Sequence, residues 1–169
     1  MRNDFHPHTL GAHEVEELRR RVLGGPPGGE RFELHVPLHE PGDPAHAGVP
    51  AGEFLWATAM RPGVARIANV PVWVDELSID DVVGFVEVDG CHEPRTVIER
   101  TFPLRGFAAA GDDEPLPAEV PRALGRIGVR FEIVGAHCLT LAGPAATKDR
   151  ARAALEPCRE FDLWMLEVP

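Results

Sequence analysis

The chain has no tyrosine, one serine (Ser78) and one lysine (Lys148) among its 169 residues. Ser78 does not sit in a Gly-x-Ser-x-Gly elbow, so the serine-hydrolase signature is missing. The run Gly24-Gly25-Pro26-Pro27-Gly28-Gly29 lacks the lysine and the following helix of a phosphate-binding loop. No apolar run approaches the roughly 20 residues of a membrane helix. Met1-Arg2-Asn3-Asp4-Phe5-His6-Pro7-His8 has no apolar core of the kind a signal peptide carries. The cysteines Cys91, Cys138 and Cys158 are odd in number, and without a secretion signal they read as reduced thiols rather than a disulfide framework. These absences point to a cytoplasmic protein with no membrane partner. The scarcity of lysine beside abundant Arg, Ala, Gly and Pro resembles a GC-rich bacterial genome.

Basic charge is also short. The formal net charge is -10, which repels a phosphate backbone and argues against a nucleic-acid partner. The one cationic cluster, Arg19-Arg20-Arg21, follows Glu14, Glu16 and Glu17. Glu16 with Arg20 and Glu17 with Arg21 form i,i+4 pairs on a solvated helix face.

What is present is an ordinary globular composition, 44% hydrophobic and 26% charged. Residues 1–29 read as an N-terminal helix and a Gly/Pro linker, with Val15, Leu18 and Val22 on one helix stripe. Residues 30–92 read as a β-rich lobe. Phe32, Leu34, Val36 and Leu38 alternate with polar neighbours, and strands are predicted over 53–60, 64–68 and 82–88. The stretch 39–52 reads as a loop. Asp89-Gly90 marks a hairpin whose two central residues need positive φ, and 95–102 is the returning strand. Residues 93–169 read as a second lobe. A loop is expected over 106–117, then a helix over 119–127 with Pro121 in its first turn and Gly128 at its end. Strands follow over 129–134 and 138–142. Thr147 is the expected N-cap of a second helix that Pro157 ends, and 161–168 is the last strand.

Taken from residue 95, the predicted order is strand, helix, strand, strand, helix, strand. The expected fold class is therefore α+β: a small antiparallel β-barrel-like lobe followed by a ferredoxin-like βαββαβ lobe.

The central block carries Glu53 and Trp56 on one strand, then Asn69 and Pro71, then Asp81-Val82-Val83. In these residues it resembles a bacterial family known as the domain of unknown function 4265 family, over residues 31 to 168. Val72-Trp73 stands where that family often has an aromatic pair. The resemblance implies a cytosolic bacterial protein of this layout and brings no reaction with it.

Each candidate site residue has a structural explanation beside the chemical one. Asn69 suits turn geometry and could also bind a ligand. Trp56 and Trp73 are expected in the core, or else as an aromatic pocket wall. Asp81 would need a raised pKa to act as acid or base, and His35 and His137 are the other acid–base candidates. Asp80 and Asp81 alternate in direction on an extended chain and make no catalytic pair. Cys91, His92, His137 and Cys138 supply a zinc-type ligand set, but two adjacent pairs 45 residues apart make a weak motif. Cys138 and Cys158 suit small apolar fillers, and Cys91 beside His92 would be reactive only with a lowered pKa. No cofactor is expected.

The leading expectation is a non-catalytic binding or accessory module for a peptide, a protein or a small molecule, an immunity-like protein being one version. The alternatives are a small enzyme with a cleft between the lobes, and a Cys/His metal-binding module. Two copies pairing through a sheet edge is one arrangement such a fold allows.

Overall fold

The structure, a computed structural model, describes residues 29–39, 50–111 and 114–168. The expected helix over 12–23, most of the Gly/Pro linker and most of the 39–52 loop lie outside the described residues. The fold is α+β and mostly β, with nine strands and two short helices among the described residues. No helix among these residues is long and apolar enough to cross a membrane.

Two compact units divide the chain. Unit 1 holds the described residues up to Ala68 and the stretch Val82–Ile98. Unit 2 holds Asn69–Asp81 and the described residues from Glu99 onward. This differs from the expected division at 92 and 93 in two ways. Residues 69–81 side with unit 2, and the hairpin closed at Asp89-Gly90 stays within unit 1.

In unit 1, β1 (Arg31–Pro37), β2 (Gly52–Arg61), β3 (Val64–Ile67), β4 (Val82–Val88) and β5 (Cys91–Glu99) hydrogen-bond in chain order. β1 also meets β5 in parallel, at Leu34 and His92. Period-two alternation buries Phe32, Leu34, Leu55, Ala57, Ala65, Ile67 and Val83. Glu53 shares the inward face of β2 with Leu55 and Ala57 and is itself buried. At the β4–β5 turn Asp89 has φ 50° and Gly90 φ 83°, the pair of positive values that a two-residue hairpin of this twist requires.

Unit 2 runs β6 (Leu104–Ala109), α1 (Glu119–Arg126), β7 (Arg130–Val134), β8 (Cys138–Gly143), α2 (Lys148–Leu155) and β9 (Glu160–Met165). Its sheet order is β7-β8-β6-β9, with every neighbouring pair antiparallel. The first strand is 104–109, not the 95–102 segment read from sequence, of which 95–99 belong to β5. Gly106 caused the misreading, because glycine signals a loop. Here it sits in the middle of a sheet, where a Cβ would run into the Leu163 side chain and come within 2.7 Å of the Asp162 carbonyl oxygen. Glycine at this position permits close packing rather than a turn.

One face of this sheet takes both helices. Leu104, Ala108, Leu139, Leu141 and Leu163 pack with Val120 and Leu124 of α1 and Ala151 and Leu155 of α2. A fully buried leucine stabilises by about 2 kcal/mol relative to exposure, so this layer dominates unit 2. α1 ends as expected, with Gly128 at φ 77°. Thr147 departs from expectation. It stands at the N-cap position of α2 but makes no side-chain cap bond. A 3₁₀ turn over Ala145–Thr147 precedes the helix, and the Thr147 hydroxyl donates back to the Pro144 carbonyl at 2.6 Å.

The opposite face carries Arg105, flanked by Ala142 on β8 and Trp164 on β9. Arg105 is fully buried. Its guanidinium donates to the carbonyl oxygens of Pro71 (2.7 Å), Val74 (3.3 Å) and Leu77 and lies 5.9 Å from the centre of the Trp164 ring. Residues 69–81 form no helix or strand, so their carbonyls need partners from elsewhere. Arg105 provides them, while Val70, Val74 and Leu77 are buried alongside. This is why the segment belongs to unit 2.

Three substitutions test these contacts. Gly106→Ala is expected to cost about 1–3 kcal/mol in urea unfolding, as overpacking does. Arg105→Ala strips several buried carbonyls of their donor and is expected to cost about 3 kcal/mol or more. Arg105→Lys should recover less than half of that loss, because an ammonium has no planar fork. Full recovery by lysine would show that the charge, not the fork, holds the segment.

Candidate functional site

The end of the unit 2 sheet opens into a cleft of about 400 Å³ lined by Ala109, Gly111, His137, Cys138, Arg159 and Glu160. Strand register assembles it. Ala109, the last residue of β6, lies opposite both Cys138 at the start of β8 and Glu160 at the start of β9. The small side chain of Ala109 leaves the space between them open. Gly111 has φ 141°, and the Arg159 side chain passes 3.6 Å from where a Cβ would stand. Gly135, at φ 67°, turns the chain into His137.

The chemistry of the cleft follows from its surroundings. His137 Nδ1 lies 2.8 Å from the Glu114 carbonyl oxygen. A carbonyl only accepts, so Nδ1 carries the hydrogen and the neutral ring keeps Nε2 as an acceptor. Burial pushes the Cys138 thiol above its usual pKa, and the charge of Glu160 pushes it further. The thiol therefore stays protonated near neutral pH, the opposite of what a nucleophilic cysteine needs.

A second polar cluster is sealed inside unit 2. Asp81 is fully buried, and one carboxylate oxygen accepts from the Ser78 amide at 2.9 Å and lies 3.4 Å from the Arg100 guanidinium. Arg100 also donates to the carbonyls of Glu76 and Glu167, at 2.7 Å each. Asp80 just before takes φ 64°, which turns the chain there. Burial raises the Asp81 pKa to about 6, against the opposing pull of Arg100, the Ser78 amide and Arg105. Asp81 thus has the raised pKa that an acid–base role requires. However, a fully buried carboxyl does not meet a substrate arriving from solvent.

The other candidates are scattered. His35 stacks on Phe54 at 4.9 Å in unit 1, and burial lowers its pKa against the charge of Glu93. His92 lies edge-on to Phe32 and Phe85 at 5.2 and 5.1 Å, and burial lowers its pKa against Glu87. Burial, Glu93 and Asp89 together raise the Cys91 thiol. Cys91 and His92 belong to unit 1 and His137 and Cys138 to unit 2. Among the described residues no group of three or more His, Cys, Asp or Glu could hold a metal. Cys158 is a core filler, but Cys138 is half-buried and lines the cleft.

Trp56 and Trp73 are not core residues. They are 46% and 49% exposed, Trp56 on the outer face of β2 opposite Glu33, and Trp73 within the 69–81 segment. Asn69 begins that segment, its side-chain amide 3.5 Å from the Val70 carbonyl. Sequence reasoning missed Arg159, Glu160, Ala109 and Gly111 in the cleft, and Arg100 and Arg105 in the buried polar contacts of unit 2. Pro157 marked a turn before β9, but only the pairing of β6 with β8 and β9 brings Glu160, and Arg159 just before it, to the cleft with His137.

No family model matches the sequence, and no curated protein matches it. The fold is similar to that of a solved structure, a hypothetical protein from Neisseria gonorrhoeae. The TM-score is 0.53 at 12% identity, covering 83% of this chain and 95% of that one. At such identity the likeness shows the shared fold.

The Asp81 carboxyl makes a pH prediction. Its folded-state pKa lies above its unfolded value, so its favourable contribution is complete below about pH 4 and is lost as pH rises toward 6. Wild type should therefore lose on the order of 2–3 kcal/mol relative to Asp81→Asn between pH 4 and pH 7. Paired thermal melts across that range measure this, and a constant difference would refute it.

Proposed function

We propose that the protein is a non-catalytic binding module that holds a small ligand in the cleft at the end of the β6, β8 and β9 strands. The cleft itself carries this reading. It is preformed on three paired strands, it falls within the usual size range of small-molecule sites, and it gathers a cation, an anion, an imidazole and a thiol. Its thiol is held protonated and its histidine is oriented by a backbone carbonyl rather than a carboxylate. Both features favour recognition over nucleophilic chemistry.

We read unit 1 as a small β-barrel, on the strength of the β1–β5 pairing that follows four antiparallel neighbours in order. We read unit 2 as a ferredoxin-like lobe, because its element order and its sheet order β7-β8-β6-β9 match a split βαβ arrangement. The likeness of Glu53, Trp56, Asn69, Pro71 and Asp81-Val82-Val83 to the uncharacterised bacterial family remains part of this proposal. Three free cysteines and the arginine-rich, lysine-poor composition support a bacterial cytosolic setting.

A fragment screen read by backbone-amide NMR of the full chain tests the site. Saturable shifts are expected at Ala109, Gly111 and Cys138. Hits that cluster elsewhere, or a library that moves none of these amides, would overturn the reading.

A further inference from the structure

The cleft has two opposite poles. Arg159 and Glu160 are consecutive, exposed, and both line it. Among the described residues no hydrogen bond or ion pair occupies the Arg159 guanidinium or the Glu160 carboxylate. A ligand with a single charge would satisfy one pole and face repulsion from the other. A phosphate is disfavoured on this ground, since one guanidinium would bind it beside a carboxylate. The acceptor Nε2 of His137 adds a second group that wants an N–H donor.

We infer that this cleft takes a free α-amino acid, whose carboxylate pairs with Arg159 and whose ammonium donates to Glu160 and to His137 Nε2. The inference rests on the binding reading above and names its ligand class. An α-amino acid puts both charges on one carbon, which suits a small cleft that a guanidinium and a carboxylate both line. Its ammonium has three N–H donors, enough for both acceptors, and its carboxylate matches the planar guanidinium in two-point fashion. Ala109 and Gly111 contribute at most a methyl group to the lining, which leaves room for the ligand's side chain. The neutral Cys138 thiol offers that side chain a soft, polarizable wall. The volume of about 400 Å³ sits near the lower end for ligand pockets, which favours a single amino acid over a longer peptide.

Three probes built on one leucine frame decide the matter, titrated into the ¹⁵N-labelled full chain. L-leucine carries both charges, L-leucinamide lacks the carboxylate and N-acetyl-L-leucine lacks the ammonium. L-leucine should shift the amides of Ala109, Gly111 and Cys138 saturably, and each blocked probe should bind at least tenfold more weakly. Arg159→Gln should abolish the preference over L-leucinamide, and Glu160→Gln should reduce the preference over N-acetyl-L-leucine, His137 Nε2 remaining as an acceptor. Both side chains are exposed, so the variants should keep the wild-type spectrum away from the cleft. Equal affinity for all three probes, or shifts by L-leucine outside the cleft alone, would overturn the inference. If neutral fragments occupy the cleft while L-leucine does not, the amino-acid assignment falls and the binding reading stands. If no compound moves these amides, both fall.

Discussion

A buried guanidinium organises unit 2. Arg105 lies on the sheet face away from the helices, and a buried charge there is costly unless its protons find acceptors. The carbonyl groups of Pro71, Val74 and Leu77 accept from its two terminal nitrogens. The dependence is mutual: the segment has no helix or strand to satisfy its carbonyls, and the cation has no solvent to satisfy its protons. Arg100 repeats the device, tying Glu76 and Glu167 to Asp81. Neither unit of secondary structure nor apolar burial alone accounts for the place of residues 69–81.

The strands β1, β2 and β3 were legible because buried positions alternate with open ones along most of their length. Phe32 and Leu34, or Ala65 and Ile67, mark a buried face wherever they occur. The two helices were legible from their stripes and their glycine and proline boundaries. β6 was not, because Gly106 speaks for a loop locally and for close packing only once β9 lies beside it. The tryptophans misled in the other direction: bulk suggested burial, yet Trp56 and Trp73 stand half exposed. The arginine-to-carbonyl contacts span 24 to 67 residues of sequence. No local pattern announces such a pairing.

For the site, the sequence singled out His137 and Cys138 but supplied the wrong company. It offered Cys91 and His92 as partners, by residue type. Register supplied Ala109 and Glu160 instead, and the bend before β9 supplied Arg159. The change of neighbours changes the chemistry, from a soft-metal ligand set to a cleft with a positive and a negative end. Asp81 shows the complementary case. Its shifted acidity matches what the sequence asked of a catalytic acid, and its enclosure turns the same property into a cost carried by the fold.

The backbone passes from one unit to the other after Ala68, again after Asp81 and again after Ile98. No single cut therefore yields either half intact. As the chain is synthesised, residues 69–81 emerge from the ribosome before Arg100 and Arg105 exist to hold them. Their final arrangement must wait until the strand that carries Arg105 has been made, so a nascent chain arrested between the two would expose Val70, Val74 and Leu77 to chaperones.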